Sequence, residues 1–437
     1  MFFLIQIIFV TIILLAIPAL LYFASRAMFP KICRRIAYEV HLWLGVVSGI
    51  ILFVVCLSGT ILTFKTEIIQ LVERERYYID ESIYPRQKNI EELIAIIEKA
   101  EKCKVIRITI PDKINKTWIF NIKKESDKTK KLPAGMPATH AALGTAYIVN
   151  PFTGESLGPQ RSKIYMFFMA LTFLHRFLLL DIRTGQIIVG SATLIFLVIV
   201  ITGLFLWLPS RIAVIKNWSQ GLKIRSSKSR GAFLFDLHNT LGFYVLIPVV
   251  VMALTGPIIS FKWYRTACEQ ALGAKTFRIA LEKPLKSKNA DPQKKRLAWD
   301  DFFEKGNKMT KHKGNTRLSI PQTQDGCVIF QRTGTGLCNI ASIDKFQFDQ
   351  YTGEILKADL FDELPFNEKI ASLIFPLHNG EIFGVASKII YFLACMIATT
   401  LPVTGVILWI RKLKKLHKKR NNKNSYNIKK QELLRQT

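Results

Sequence analysis

Five windows of the sequence are long enough and apolar enough to cross a lipid bilayer, and this constrains the fold more than any other feature. They cover residues 2–24, 40–64, 187–208, 239–261 and 389–410. Roughly 20 residues of α-helix, at about 1.5 Å each, span a hydrocarbon core of about 30 Å. Because lipid offers the backbone no hydrogen-bond partners, each window is predicted to be a transmembrane helix.

The basic residues predict how these helices are oriented. The chain has 437 residues and a net charge of +29, and Lys and Arg concentrate before the second window, between the third and fourth, and after Arg411. Short loops rich in Lys and Arg stay in the cytoplasm. The polar regions 66–163 and 264–370 are then outside and the C-terminus inside, as in a multi-pass protein of a bacterial inner membrane. The juxtamembrane tail favours anionic lipid headgroups over nucleic acid as its partner.

The first window differs from the other four. It lacks a positively charged start, and it is longer than the apolar core of a signal peptide. We interpret residues 2–24 as an additional span with the N-terminus outside, and a cleaved segment is the alternative.

An internal repeat relates the two halves of the chain. The second window, taken from His41 to Lys65, begins HLWLG and ends SGTILTFK, and the fourth, taken from His238 to Lys262, begins HNTLG and ends TGPIISFK. Each contains a histidine, a glycine four residues later and a glycine eighteen residues later, with no gap. These residues are His41, Gly45 and Gly59 in the first half, and His238, Gly242 and Gly256 in the second.

The other two windows match in the same way. TGLFLW at 202–207 corresponds to TGVILW at 404–409, and a histidine precedes each of them, His175 and His378. Ahead of these histidines, each polar region closes on a strand-like segment with a Thr-Gly-Glu turn. The chain is therefore predicted to be a duplication. Because both halves have the same orientation, a pseudo-twofold axis lies along the membrane normal.

This topology pairs the four histidines. His41 and His238 lie near the cytoplasmic edge, His175 and His378 lie near the outer edge, and the pseudo-twofold axis brings the members of each pair together. Two imidazoles that face each other in a helix bundle suit the axial positions of a haem iron. We therefore predict two b-type haems, with these histidines as ligands of the haem iron, and a path for electrons across the bilayer.

The repeated glycines support this prediction. Gly45 and Gly242 share a helix face with their histidines. Gly59 and Gly256 return to that face five turns further on, roughly 27 Å along the helix. A helix without side chains at these points can lie against a flat porphyrin. Close packing between helices is the alternative role for each glycine.

Other polar residues receive structural interpretations. Glu39 and Asp236, each two residues before an inner histidine, are interpreted as carboxylates in the first turn of a helix, with a contact to the imidazole as the alternative. Cys327 and Cys338 could pair in an oxidising compartment. The sequence has no CxxC motif, and no GxGxxG motif follows a strand, so neither a thioredoxin-type site nor a flavin or nicotinamide domain is expected.

At this level of detail the chain resembles a known family. The H-x-x-L-G openings, the (S/T)-G-x-I-x-x-F-K endings and the Thr-Gly motifs before Leu-Trp are similar to those of PepSY-associated transmembrane proteins. The resemblance covers residues from about 31 to 412. It implies PepSY-like outer domains made of a helix and a small antiparallel sheet. In the ferric-siderophore reductases of that family, it implies two haems on histidines corresponding to His41, His175, His238 and His378.

The expected fold is a membrane α-helical bundle with an internal parallel duplication, four core spans plus one N-terminal span, and two small α+β PepSY-like periplasmic domains. The expected segments are an N-terminal helix at 1–30, core span 1 at 31–65, periplasmic domain 1 at 66–163, a pre-span helix and core span 2 at 164–210, a basic loop at 211–231, core span 3 at 232–263, periplasmic domain 2 at 264–370, a pre-span segment and core span 4 at 371–411, and a basic tail at 412–437.

The expected function is that of an oxidoreductase, an inner-membrane dihaem protein that reduces ferric siderophores in the periplasm and so releases Fe(II). A membrane quinol or a separate reductase would supply its electrons. One alternative is a membrane-anchored PepSY regulator or protease inhibitor without redox activity. Another is a siderophore or metal transporter. Transporters bind substrate at broken helices, whereas we expect the spans of this chain to be unbroken, with few interior prolines, Pro248 and Pro402 among them.

Overall fold

A computed structural model describes residues 31–84, 86–124, 144–208, 221–225, 229–278, 282–287, 295–334 and 342–436. The predicted span at 2–24 and the predicted disulfide partner Cys338 lie outside these residues. The chain divides into two compact units. One, the helical unit, contains the chain up to Thr60, Ile188–Pro257 and the chain from Phe392, and the other, the sheet unit, contains Ile61–Ile187 and Ile258–Tyr391.

The helices of the described chain alternate with blocks of strands. In chain order the helices are α1 (Lys31–Leu62), α2 (Lys65–Val72), α3 (Arg74–Tyr77), α4 (Ile90–Glu101), α5 (Lys163–Phe177), α6 (Ile182–Trp207), α7 (Arg230–Tyr244), α8 (Leu246–Ser260), α9 (Lys262–Leu272), α10 (Trp299–Met309), α11 (Phe366–Ser372), α12 (Ile374–Asn379) and α13 (Val385–Gln436). The strands are β1 (Cys103–Ile110), β2 (Trp118–Lys124), β3 (Thr145–Val149), β4 (Ser156–Pro159), β5 (Thr316–Ser319), β6 (Cys327–Thr333), β7 (Ile343–Asp349) and β8 (Ile355–Asp359).

Helices α1, α6 and α13 are each long and apolar enough to cross a membrane, and α7 with α8 makes a fourth candidate if the bent pair is one span. The expectation of unbroken spans is wrong for this pair, because the two helices meet at 64°. Pro248 explains the break. It has no N–H to donate to the carbonyl of Tyr244, four residues earlier, and its ring would clash with that carbonyl, so α7 ends at Tyr244. Helix α13 continues past Pro402.

The strands of both polar regions form one antiparallel sheet in the order β4-β3-β2-β1-β5-β6-β7-β8. The first region supplies β1 to β4 and the second supplies β5 to β8. The two sets meet where β1 pairs with β5, which we call the joint, and each set follows chain order outward from it. At the joint, Arg107 lies opposite Ser319 and Thr109 lies opposite Arg317. The regions expected as two separate domains therefore share one sheet, and each covers what would otherwise be an open edge of the other.

One face of this sheet packs on α4 and α10. Ile90, Leu93, Ile94 and Ile97 occupy one side of α4 at helical spacing and are buried against the sheet. The second half adds an aromatic group to the same core, formed by Trp299, Phe302, Phe330, Phe346 and Phe348. Burial of these large side chains is the main source of stability in the sheet unit.

The opposite face is covered at its β3 end. Ile148 is fully buried there, in a cluster with Ile69 of α2, Tyr77 of α3, and Phe168 and Leu171 of α5. The alternation of β3 explains how one strand serves both cores, since Tyr147 and Val149 point to the α4 side while Ile148 points to α5.

The Thr-Gly-Glu segments form two turns of the same construction. Asn150 accepts hydrogen bonds from the backbone N–H groups of Phe152 and Thr153, and Asp349 does the same for Tyr351 and Thr352. The glycine that follows has a positive φ in each turn, +80° at Gly154 and +68° at Gly353. These left-handed positions require a residue without a Cβ.

Helices α4 and α10 cap each other across the joint. Asp300 of α10 accepts hydrogen bonds from the backbone N–H groups of Ile90 (2.9 Å) and Glu91 (3.1 Å). In return, Glu91 accepts from the N–H of Trp299 (3.1 Å) and pairs with Arg296. Partial burial raises the pKa of Glu91, but the hydrogen bonds from Arg296 and Trp299 outweigh it, so the pKa lies below its ordinary value. The two halves are thus joined by charged caps as well as by the strands.

We predict that Asp300→Ala loosens the first turn of α4. Loss of a capping carboxylate costs about 1–2 kcal/mol, so hydrogen exchange at the Ile90 and Glu91 amides should accelerate roughly 5- to 30-fold. Mass spectrometry of exchange in the full-length protein measures this. Asp301→Ala is the matched control, since Asp301 is exposed one position away. Equal acceleration in both variants would contradict the capping role.

Candidate functional site: two histidine pairs

His41 of α1 and His238 of α7 lie side by side in the helical unit. Their ring centroids are 6.3 Å apart, and the ring planes are at 89° to each other. Both side chains are half-buried. The pairing of the two repeat-related inner histidines, predicted from the sequence, is thus present in the geometry.

The tautomer of His41 follows from its hydrogen bonds. Nδ1 lies 3.0 Å from the carbonyl oxygen of Ile199 and 3.2 Å from Oγ1 of Thr202, both on α6. A carbonyl oxygen only accepts, so Nδ1 carries the proton and donates it. Nε2 is then left with a free lone pair, which is the form of imidazole that binds a metal.

His238 is held in the same way in the second half. Its Nδ1 lies 2.8 Å from Oγ1 of Thr404 on α13. The Thr404 hydroxyl donates its own proton to the carbonyl groups of Thr400 (3.1 Å) and Leu401 (3.0 Å), so its oxygen accepts from the ring. This again places the proton on Nδ1 and the lone pair on Nε2.

The glycine after each of these threonines lies beside the ring, and at Gly203 a side chain would crowd it. A Cβ on Gly203 would lie 3.0 Å from Cε1 of His41, and one on Gly405 would lie 3.5 Å from Cε1 of His238. The Thr-Gly pairs at 202–203 and 404–405 therefore orient and accommodate the histidines. These motifs are part of the internal repeat, but their sequence alone does not indicate this role. Their recurrence at equivalent positions in both halves was the available signal.

His175 and His378 form a second pair in the sheet unit. Their ring centroids are 6.5 Å apart, with the planes at 60°. His175 lies in the last turn of α5, and two residues of left-handed backbone, Leu178 and Leu179, then turn the chain into α6. His378 lies on α12, a helix of only six residues.

The elements that carry the outer pair differ between the halves. Helix α5 has 15 residues, whereas its counterpart is broken between α11 and α12 at Leu373. A proline explains this break, as Pro248 explains the break between α7 and α8. Pro376 has no N–H for the carbonyl of Ser372, four residues earlier, so α11 ends at Ser372.

The predicted glycine sites have different outcomes. A Cβ on Gly45 would meet no atom of the described chain within 4 Å, and one on Gly242 would meet only Leu401, at 3.9 Å. Packing against the helices that the structure describes therefore does not explain these two glycines, and each leaves space there one turn from a histidine. Gly59 lies on the same continuous helix as His41. Gly256 lies on α8, beyond the bend, so the expectation that it shares a helix face with His238 is wrong.

The two carboxylates near the inner histidines are not in first helical turns, as had been expected. Helix α1 begins eight residues before Glu39, and α7 begins six residues before Asp236. Asp236 is buried, and both of its carboxylate oxygens accept hydrogen bonds from Arg225, at 2.8 and 2.7 Å. This bidentate pair fixes the segment before α7 against the helix that carries His238.

Basic residues meet at one end of the helical unit. Arg34 of α1 donates to the last carbonyl groups of α6, those of Leu206 (2.9 Å) and Leu208 (3.0 Å), where a cation suits the helix dipole. Lys412 of α13 donates to the hydroxyl of Tyr38 (3.0 Å) on α1. Arg34 and Lys412, from the first and last of the basic segments that the sequence assigned to one side of the membrane, therefore lie at the same end of these helices.

The donor set of each histidine pair fits a haem better than a bare metal ion. A bare ion in a protein usually takes four or more ligands, yet the described residues contain no group of three His, Cys, Asp or Glu that could hold one. A porphyrin supplies four nitrogens itself and needs two axial ligands. A metal–imidazole bond is about 2.0 Å, so two imidazoles on opposite sides of one metal have ring centroids roughly 6 Å apart. Both pairs have that spacing.

Comparison with known proteins identifies the family of the chain. A search of curated proteins found no match to the chain. The family model described as the PepSY-associated TM region matches residues 38–412, from just before His41 to just beyond the last Thr-Gly motif. That match covers most of the sequence, and the chain belongs to the PepSY-associated transmembrane family.

Proposed function

We propose that this membrane protein is a dihaem electron-transfer protein that reduces ferric siderophores in the periplasm. The observation that carries the proposal is the presence of two histidine pairs, each with the ring spacing of axial haem ligands and each without a third protein ligand among the described residues. Two b-type haems would be held by His41 with His238 and by His175 with His378. The repeat between the halves supports an origin by duplication, with four core spans.

The protein's own residues have defined tasks in this proposal. A bound haem supplies reversible one-electron chemistry at its iron. With two imidazoles as its protein ligands, each iron would have no position left for oxygen chemistry. Thr202 and Thr404 fix the ring orientation and, by accepting a hydrogen bond from the Nδ1–H group, make Nε2 a stronger ligand. Gly45 and Gly242 leave open space on the faces that carry the inner histidines.

The direction of transfer follows from the charge pattern. The ends of α1 and α13 that carry Arg34 and Lys412 are assigned to the cytoplasm by the positive-inside rule, which puts the inner pair near the donor side. A membrane quinol or a separate reductase is the proposed donor, and the acceptor is an Fe(III) chelate. Such chelates hold Fe(III) far more tightly than Fe(II), so one-electron reduction releases the iron.

One observation favours a second candidate, a transporter. The bend between α7 and α8, with Pro248 behind it, is a feature of spans that unwind around a substrate. However, the helix around the bend carries Val245, Val249 and Ala253 buried in apolar packing, without an ionisable group for a substrate. The haem content of the protein separates the two candidates.

We predict that the purified protein contains about two haems per chain and shows sharp low-spin b-type bands when reduced with dithionite. His41→Ala and His378→Ala should each remove about half of the haem, because each eliminates one axial ligand of one site. A pyridine haemochrome assay measures this. His417→Ala is the control, since that histidine is exposed on the tail. A protein that stays colourless despite ample haem would refute the proposal.

We predict that Thr404→Val weakens the inner site without removing its ligands. Loss of an oriented partner of a ligating histidine typically lowers affinity about 10- to 100-fold. The haem midpoint potential should also rise, because a less basic imidazole stabilises Fe(III) less. Haem titration and redox potentiometry measure the two effects, and Thr404→Ser should restore both. Thr400→Val, one turn away and exposed, is the matched control; an equal effect there would contradict the hydrogen-bond role.

A further inference from the structure

A second repeat-related pair, of arginines, meets at the joint of the sheet. The segment IRITIP at 106–111 corresponds to TRLSIP at 316–321. This alignment makes Arg107 of β1 the counterpart of Arg317 of β5, and these two strands pair with each other. The pseudo-twofold relation of the sheet thus brings the same arginine from both halves to its centre.

The register places both arginines on one face. Arg107 lies opposite Ser319, and Arg317 lies opposite Thr109, so the arginines are diagonal neighbours. Such neighbours are about 7–8 Å apart. Ile108 follows Arg107, Leu318 follows Arg317, and both are fully buried on the side of the sheet that packs on α4 and α10. Because side chains alternate along a strand, the arginines face the other way. Both guanidinium groups are close enough to contact one small ligand.

The neighbours of the arginines on this face are hydrogen-bonding side chains in a twofold arrangement. Asn121 of β2 lies beside Arg107, and Gln331 of β6 lies beside Arg317. Together with the hydroxyls of Thr109 and Ser319, the patch offers two guanidiniums, two amides and two hydroxyls. We call these six residues the arginine patch. None of the six is acidic.

Among the described residues, neither arginine has a carboxylate partner of the kind that other cations on this face have. Lys345 is fully buried and pairs with Glu282 (2.6 Å), and Arg278 pairs with Asp359 (2.8 Å). By contrast, within the part of the chain that the structure describes, the recorded side-chain hydrogen bond of Arg107 is to the Ser319 hydroxyl (3.2 Å). Burial, and then the charge of Arg317, lower the pKa of Arg107. Two like charges so placed favour an anion between them.

The arginine patch lies on the side of the sheet where the outer histidine is held. Thr109 of the patch lies opposite Ile119, and Ile119 lies opposite Ile148 of β3. Ile148 packs against Phe168 and Leu171 of α5, the helix that carries His175. A ligand at the patch is therefore on the same face as the helix that supplies one proposed outer haem ligand.

We propose that the arginine patch binds an anionic polycarboxylate chelate of Fe(III), the acceptor of the electrons. This inference rests on the proposed function for the identity of the metal, but the binding itself does not. Carboxylates match the planar fork of arginine, and the hydroxyls and amides can serve the remaining oxygens of a ligand that has several such groups. A hydroxycarboxylate such as citrate, bound to a trivalent metal, has this chemistry.

The test uses gallium(III) citrate, because gallium(III) resembles ferric iron but is not reduced. Isothermal titration of the full-length protein should show binding that Arg107→Gln/Arg317→Gln weakens at least about tenfold, since each charged hydrogen bond contributes about 1.5–3 kcal/mol. The matched control is Lys99→Gln/Lys308→Gln, which removes the same charge from exposed positions on α4 and α10, across the sheet. Its affinity should equal that of the wild type.

Each result of this titration either supports or overturns the proposal. Equal affinity in the arginine variant and the wild type would overturn the proposal, as would equal weakening in the lysine control. Tighter binding of inorganic phosphate than of the chelate, also lost in the arginine variant, would assign the patch to phosphate groups and overturn the carboxylate assignment. Because gallium binding requires no haem, its presence in a colourless protein would support the patch while refuting the electron-transfer function.

Discussion

The pairing of β1 with β5 is the contact on which most of the sheet unit depends. Through it, two polar segments far apart in the sequence become one eight-stranded sheet without an open edge at the centre. The same pairing sets α4 beside α10, so that Asp300 and Glu91 can each cap the other helix. It also brings Arg107 and Arg317 together. Neither half alone has the second arginine or the reciprocal caps.

The sequence predicted the features that repeat locally and missed those that depend on long-range register. Apolar length identified the helices α1, α6 and α13, and the offsets between the halves predicted which histidines pair. No local pattern specifies that β1 pairs with β5, because the two segments are separated by about 200 residues of chain. The bend after Tyr244 was visible in principle, since Pro248 removes the hydrogen bond of the residue four positions earlier.

The Thr-Gly motif shows a different reason for incomplete prediction. The motif was recognised in both halves, but its role depends on which histidine lies beside it, and that is a matter of packing between helices. In the structure each inner histidine bonds to the threonine of its own half, His41 to Thr202 and His238 to Thr404. A threonine in a span usually returns its hydroxyl to the backbone. Here each hydroxyl does so and also accepts a hydrogen bond from the Nδ1–H group of the histidine, so the lone pair is on Nε2.

The two histidine pairs are supported by different parts of the protein. The inner pair lies on long helices, where a third and a fourth helix supply its hydrogen-bond partners. The outer pair lies on the end of α5 and on the short helix α12, and α5 is fixed by packing against Ile148 of the sheet. The sheet therefore holds His175 as well as the arginine patch, through contiguous strands β3, β2 and β1. The fused sheet thus does more than bury its own core, since one of its faces carries both the arginine patch and the packing for the helix of His175. A pair of independent outer domains could not hold the two arginines beside each other as the pairing of β1 with β5 does.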